Sequence, residues 1–136
     1  MENLTERLND LWESIVKDID INISNNSISL TLEVIENGNS SNHKIIFKKV
    51  SSHFYLNNIG ENRLNTNQLD EDEYLELTSI NYVRNGVGEI KVSSASEPWA
   101  NQCYASANFV LEIWSKLLFV EARIIVVDES EYSVEI

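Results

Sequence analysis

From residue 19 onward the chain is built largely on a period of two. Ile19, Ile21 and Ile23 alternate with Asp20 and Asn22, and Ile28, Leu30, Leu32 and Val34 alternate with Ser29, Thr31 and Glu33. Successive side chains of a strand point to opposite faces, so this spacing gives each strand one apolar and one polar face. That is the pattern of antiparallel strands packed on a core by one side only. The turn signals agree. Asn25-Asn26 separates the first two runs, Asn37-Gly38 follows the second, and Asn85-Gly86 with Gly88 punctuates a third region. All four glycines, Gly38, Gly60, Gly86 and Gly88, fall where turns or loops are expected, and Pro98 is the one proline.

The start of the chain has a different period. Leu4, Leu8, Leu11, Trp12, Ile15, Val16 and Ile19 fall at helical spacing, which predicts an amphipathic helix over about residues 3–17 with Trp12 in its buried stripe. Asn3 followed by Glu6 resembles a capping box with Asn in the Ser/Thr place. Further on, Lys44–Val50 and Phe54–Leu56 read as one bent strand, and residues 57–72 as a long loop. A strand over Tyr74–Arg84 changes face near Thr78-Ser79, which suggests a bulge. Ile90 and Val92 form the second arm of the hairpin that follows it. Residues 104–127 fit either a helix or a hairpin. Leu118, Val120, Ala122, Ile124 and Val126 alternate without a break, and Ile124–Val127 are β-branched, so the hairpin is preferred. A last short strand is expected over Tyr132–Glu135. The 136 residues suit a single domain, 1–136. The fold class is α+β: an N-terminal amphipathic helix packed on a mostly antiparallel sheet or sandwich of about eight strands.

Charge narrows the function classes. Asp+Glu number 22 against Lys+Arg 10, a formal net charge of -12. Nucleic-acid binding needs a basic stripe, and docking on an anionic membrane needs the same sign of charge, so neither is expected. Cys103 is the one cysteine, so no internal disulfide can form. The opening residues lack the basic, then apolar, pattern of a signal peptide, and the run Leu117–Val127 is too short to span a bilayer and carries Glu121 and Arg123. A cytoplasmic location is expected.

No catalytic motif emerges. His43 and His53 stand outside any recognisable signature, no G-x-S-x-G elbow occurs, and Cys103 reads as a small hydrophobe. Zinc-ligand spacings are missing, and the run Asp70-Glu71-Asp72-Glu73 with Glu76 lacks the alternating oxygen ligands and glycine of a calcium loop. No metal or cofactor is expected, and the acidic run reads first as a solvated loop. Trp99, after Pro98, and Trp114, at a strand end, are most simply packing residues, although an exposed loop tryptophan is a good binding anchor.

Three segments carry a family likeness. They are Leu8-Asn9-Asp10-Leu11-Trp12-Glu13, Tyr74-Leu75-Glu76-Leu77-Thr78-Ser79-Ile80, and the run from Asn108-Phe109-Val110-Leu111-Glu112-Ile113-Trp114 to Ala122, preceded by Ser96-Glu97-Pro98-Trp99. Together they resemble the YxiG-like family of small Bacillus-type proteins, over nearly the whole chain. Members of that family are associated with clusters encoding contact-dependent, polymorphic toxins, so the resemblance implies an immunity-like role. No residue role carries over from it. The expectation is a non-enzymatic protein that binds and neutralises a toxin domain. The acid excess points to a basic protein partner drawn in by charge. The contact patch is assigned to Asp70, Glu71, Asp72, Glu73, Glu76 and Trp99. A small-molecule-binding β domain or an unrecognised enzyme is the alternative, and a structural or assembly subunit a further one. An apolar pocket with a few convergent polar groups would favour the first of these. The oligomeric state is left open.

Overall fold

Asn3 caps the first element. Its side-chain oxygen accepts the Glu6 N–H at 2.8 Å, the half of the capping box that the sequence predicts. The computed structural model describes residues 3–70 and 73–136. Helix α1 covers only Leu4–Asn9, not the expected 3–17. Glu13 takes a left-handed turn at φ 68 and donates its N–H to Leu77 O at 2.7 Å, and from Ser14 the chain is a strand. Trp12 therefore leaves the expected buried stripe. It is 41% exposed, with its indole N–H donating to Ile80 O at 3.1 Å.

The strands are β1 Ser14–Asn22, β2 Ser27–Glu36, β3 Asn39–Leu56, β4 Leu75–Tyr82, β5 Gly88–Lys91, β6 Tyr104–Ala107, β7 Phe109–Ile113, β8 Lys116–Val127 and β9 Ser130–Ser133. The expected sheet or sandwich is corrected here. Following the antiparallel pairings, β1 joins β2, β2 joins β3, β3 joins β8, β8 joins β7, β7 joins β4, and β4 returns to β1. Six strands thus close into a barrel. The length of β3 makes closure possible. Asn39–Phe47 pair with β2, while Ile45–Leu56 pair with β8. Past the last β2 pair at Phe47, the strand takes a left-handed step at Lys49, φ 52, and its register against β8 slips between Val50 and Ser52. Strand β9 adds to the far half of β8.

Two local expectations hold. Asn37 and Gly38, at φ 51 and 80, make the two-residue turn whose twist suits a hairpin. Residues 104–127 contain the preferred hairpin, with β7 and β8 joined at Trp114-Ser115. One pairing differs. The Asn85-Gly86 turn does not fold β5 back onto β4. β5 instead pairs with β6, from Gly88 opposite Ala107 to Lys91 opposite Tyr104, as a separate two-stranded ribbon.

Bulges keep the apolar side chains inside the barrel. The register of β4 against β7 slips between Leu77 and Ser79, so Leu77 and Ile80, three apart, are both fully buried. β1 slips likewise between Val16 and Asp18. The interior is filled by groups such as Leu30, Leu32, Phe47, Phe109, Leu111 and Ile125, and Phe47 meets Phe109 edge-on at 4.9 Å between centroids. Leu8 of α1 and Leu11 join this core, so the helical segment plugs one end of the barrel. Asn108 is the best-satisfied buried polar group. Its amide donates to Ala122 O at 2.8 Å and Glu135 O at 2.9 Å, and its oxygen accepts the Ala122 N–H at 3.1 Å.

Candidate functional site

The end of the barrel opposite α1 is open because two neighbouring strands differ in reach. β4 begins at Leu75, opposite Val16, while β1 continues to Asn22. Ile19 and Ile21 stand opposite Leu30 and Ile28, which are fully buried on the inner face. They share that face, yet remain 37% and 43% exposed, because no strand among the described residues covers their other flank. The gap opens into a cavity of about 300 Å³ lined by Ile19, Ile21, Tyr55, Leu75, Ile113, Leu117 and Leu118. Among the described residues its one charged lining group is Lys116, whose amine donates to Asn57 Oδ1 at 2.7 Å. Next to it in the chain, the Tyr74 and Trp114 rings stand 6.0 Å apart.

The acidic segment leads into this gap. Asp70 and Glu73 are exposed, and the Glu73 N–H donates to Asp70 O at 3.0 Å. Glu71 and Asp72 lie outside the described residues. Glu76 is set apart from them on β4, opposite Ile15, and its carbonyl accepts the Trp114 N–H at 3.1 Å. Trp99 does not join the group. It sits in the short turn Pro98–Gln102 between β5 and β6, 63% exposed, with its indole N–H donating to Glu97 Oε2 at 3.0 Å. The sequence reading missed Asp18, Asp20, Ile19 and Ile21 as candidates. Their alternation was visible, but the missing neighbour was not.

A second cluster ties the plugged end together. His43 Nδ1 lies 2.9 Å from Asp128 Oδ2, Ser41 Oγ lies 2.9 Å from His43 Nε2, and Arg7 of α1 donates to the same carboxylate oxygen at 2.9 Å. Asp128 Oδ1 accepts the Lys44 N–H at 3.0 Å. Burial pushes the Asp128 carboxyl up, but the hydrogen bonds from His43, the Lys44 amide and Arg7, with electrostatic attraction to His43, outweigh it and hold the group below its usual range. Serine, histidine and aspartate stand here in the order used for acyl transfer. However, Ser41 is an exposed residue paired with Val34 on an open ribbon, where nothing would shield an acyl intermediate from water. Asp128 is also shared with α1 and β3. The arrangement is suited to clamping helix, strand and turn together.

Among the described residues no group of three or more His, Cys, Asp or Glu is placed to hold a metal ion, and Cys103 is exposed. No helix among them is long and apolar enough to cross a membrane.

The fold defines a class: a small closed antiparallel barrel, plugged by a helix at one end and breached at the other. Residues 4–132 match the family described as YxiG-like protein, and the chain belongs to that family. A bacterial relative, named Uncharacterized protein YxiG, from Bacillus subtilis (strain 168), is similar at 28% identity over 118 residues, covering 86% of this chain and 80% of its own.

Proposed function

We propose that this chain is a non-enzymatic binding protein, an immunity-like antagonist that sequesters a basic toxin domain in the cytoplasm. One observation carries the reading. Exposed apolar side chains, Ile19 and Ile21, stand at the open barrel end, and the segments that border it carry Asp18, Asp70 and Glu73, with Asp20 lining the outer groove beside Lys44, Lys48 and Lys49. Apolar groups supply contact area, and the surrounding carboxylates select a cationic partner and speed its approach. The acid excess over the whole chain adds to that field.

The test is coexpression with any toxin domain encoded beside the gene, together with pull-down of that domain. Rescue of growth and retention of the domain are expected. Continued killing by every adjacent toxin domain, with none retained, overturns the reading.

A second reading is favoured by the cavity itself. Its volume of about 300 Å³ stands at the lower limit of small-molecule sites. Its lining offers one amine and otherwise apolar groups, which suits a short amphiphile. Saturable binding of a medium-chain fatty acid, lost in Leu117→Glu, would favour it.

A further inference from the structure

The wall of the barrel is incomplete along one strand edge, and that edge and the cavity beneath it have matching requirements. Among the described residues, β1 pairs from Asp18 to Asn22 with β2 on one side only, because β4 reaches no further than Val16. Alternate N–H and C=O groups of such a run face outward, ready to pair with another strand. The same run directs Ile19 and Ile21 toward the cavity and interleaves them with Asp18 and Asp20.

We propose that Lys17–Asn22 of β1 is a docking edge for an extended strand of a protein partner. The strand's inward side chains are apolar and fill the open barrel end, and its outward side chains are Lys or Arg facing Asp18 and Asp20. This rests on the protein-binding reading above and names the kind of partner it requires. Strand addition uses main-chain bonds for affinity and alternate side chains for specificity.

Two other occupants are disfavoured by charge. The first is the chain's own loop. Continuing the β1–β4 register, in which Ser14 faces Leu77 and Val16 faces Leu75, would set Glu73 opposite Asp18 and Asp70 opposite Ile21. The first pairing opposes like charges, and the second drives a carboxylate against an apolar wall. The Glu73 N–H instead donates to Asp70 O at 3.0 Å, and no described residue of this segment pairs with β1 beyond Val16. The second is another copy of the protein. Edge-to-edge pairing of two β1 strands would bring Asp18 and Asp20 of both onto one surface, and charges on an edge strand are a common barrier to self-association. A cationic strand meets neither obstacle, since Lys17 is held by Glu33 at 3.5 Å and the lysines that share a groove with Asp20 lie on β3, beyond β2 from the edge.

The experiment uses the full chain and a fluorescein-labelled nonapeptide alternating Lys with Val. Its controls are the Glu/Val peptide and the Lys/Val peptide N-methylated at alternate residues. Binding is read by anisotropy, and hydrogen exchange is followed at the amides of residues 17–22. The Lys/Val peptide is expected to bind and to slow exchange within 17–22 at least about tenfold. N-methylation, Glu for Lys in the peptide, and the double variant Asp18→Lys/Asp20→Lys should each weaken binding by about tenfold or more. Ile21→Lys should do the same, with thermal midpoints showing that each variant is folded. Equal binding of the N-methylated peptide, protection elsewhere than 17–22, no binding at millimolar peptide, or binding insensitive to Asp18 and Asp20 would overturn the proposal. So would displacement of the peptide by decanoate with no protection of the edge amides when peptide alone is bound. The two readings fail separately. A toxin domain captured while residues 17–22 stay unprotected rules out the docking edge and keeps the antagonist. A peptide held at the edge when no adjacent toxin is neutralised does the reverse.

Discussion

Asn108 and Asp128 each hold together parts of the chain that are distant in sequence. Removing the Asn108 side chain leaves the Ala122 N–H and C=O and the Glu135 C=O without their partner. A buried polar group so abandoned costs roughly 1–3 kcal/mol. Asn108→Ala should therefore lower the unfolding free energy by about 2–3 kcal/mol, measured by urea titration with an unchanged m-value. Asp128 acts through its charge. Its carboxyl is held below the usual range in the fold, so it stabilises fully above the ordinary carboxylate value of about 4. That contribution drains away as pH falls from there through the lower folded value. Asp128→Asn should cost about 1 kcal/mol at pH 6, discounted for the side chain's exposure. The gap from the parent protein should narrow at pH 3. An equal gap at both pH values, read as thermal midpoints, would contradict the assignment.

At the scale of elements, local pairings are legible in the sequence and long-range ones are not. The β2–β3 and β7–β8 hairpins can be read because two matched runs and a turn lie within a short stretch, as at Asn37-Gly38. Closure depends on pairing Ile45 with Val127 and Ser14 with Leu77. Period two says which face a side chain takes, not which strand lies beside it. The helix was overextended for a related reason. The bulge between Val16 and Asp18 brings Val16 and Ile19 to the same face three residues apart, which imitates a helical step. At the candidate site, the exposed acids Asp70 and Glu73 are plain from composition, whereas the free edge of β1 follows from where β4 stops. The short α1 still matters to stability, because Leu8 is buried in the shared core. Leu8→Ala should cost about 2–5 kcal/mol, and Thr5→Ala, at an exposed position of the same helix, under about 0.5 kcal/mol. Chemical denaturation of the two variants side by side measures the difference.

Across the whole molecule the charge of -12 is better placed than its size alone suggests. Asp70 and Glu73 precede the open end on the chain, while Lys44, Lys48 and Lys49 share a groove on the outside of β3 with Asp20. The field that guides a basic partner to the open end therefore rests on Asp18, Asp70 and Glu73. Neutralising Asp70, Glu73 and Glu76 together as amides should slow association by on the order of tenfold at low ionic strength, and the difference should fade as salt rises. Stopped-flow association over a salt series measures this. A uniform slowing at all salt concentrations would point to lost contacts instead of steering.

The double partnership of β3 also sets an order of assembly. Its first half meets β2 across a two-residue turn, a contact within easy reach of an unfolded chain. Its second half must wait for β8, some 70 residues further along, at pairs such as Val50 with Ala122. Loops of that length form late and make a β-rich chain slow to fold. The β1–β3 meander and the β7–β8 hairpin should therefore exist before the barrel does, with the β3–β8 seam drawn shut last. Val50→Ala on that seam, beyond the last β2 pair at Phe47, would then mainly hasten unfolding, and Leu30→Ala in the meander would mainly retard folding, a contrast visible in the two arms of a chevron plot.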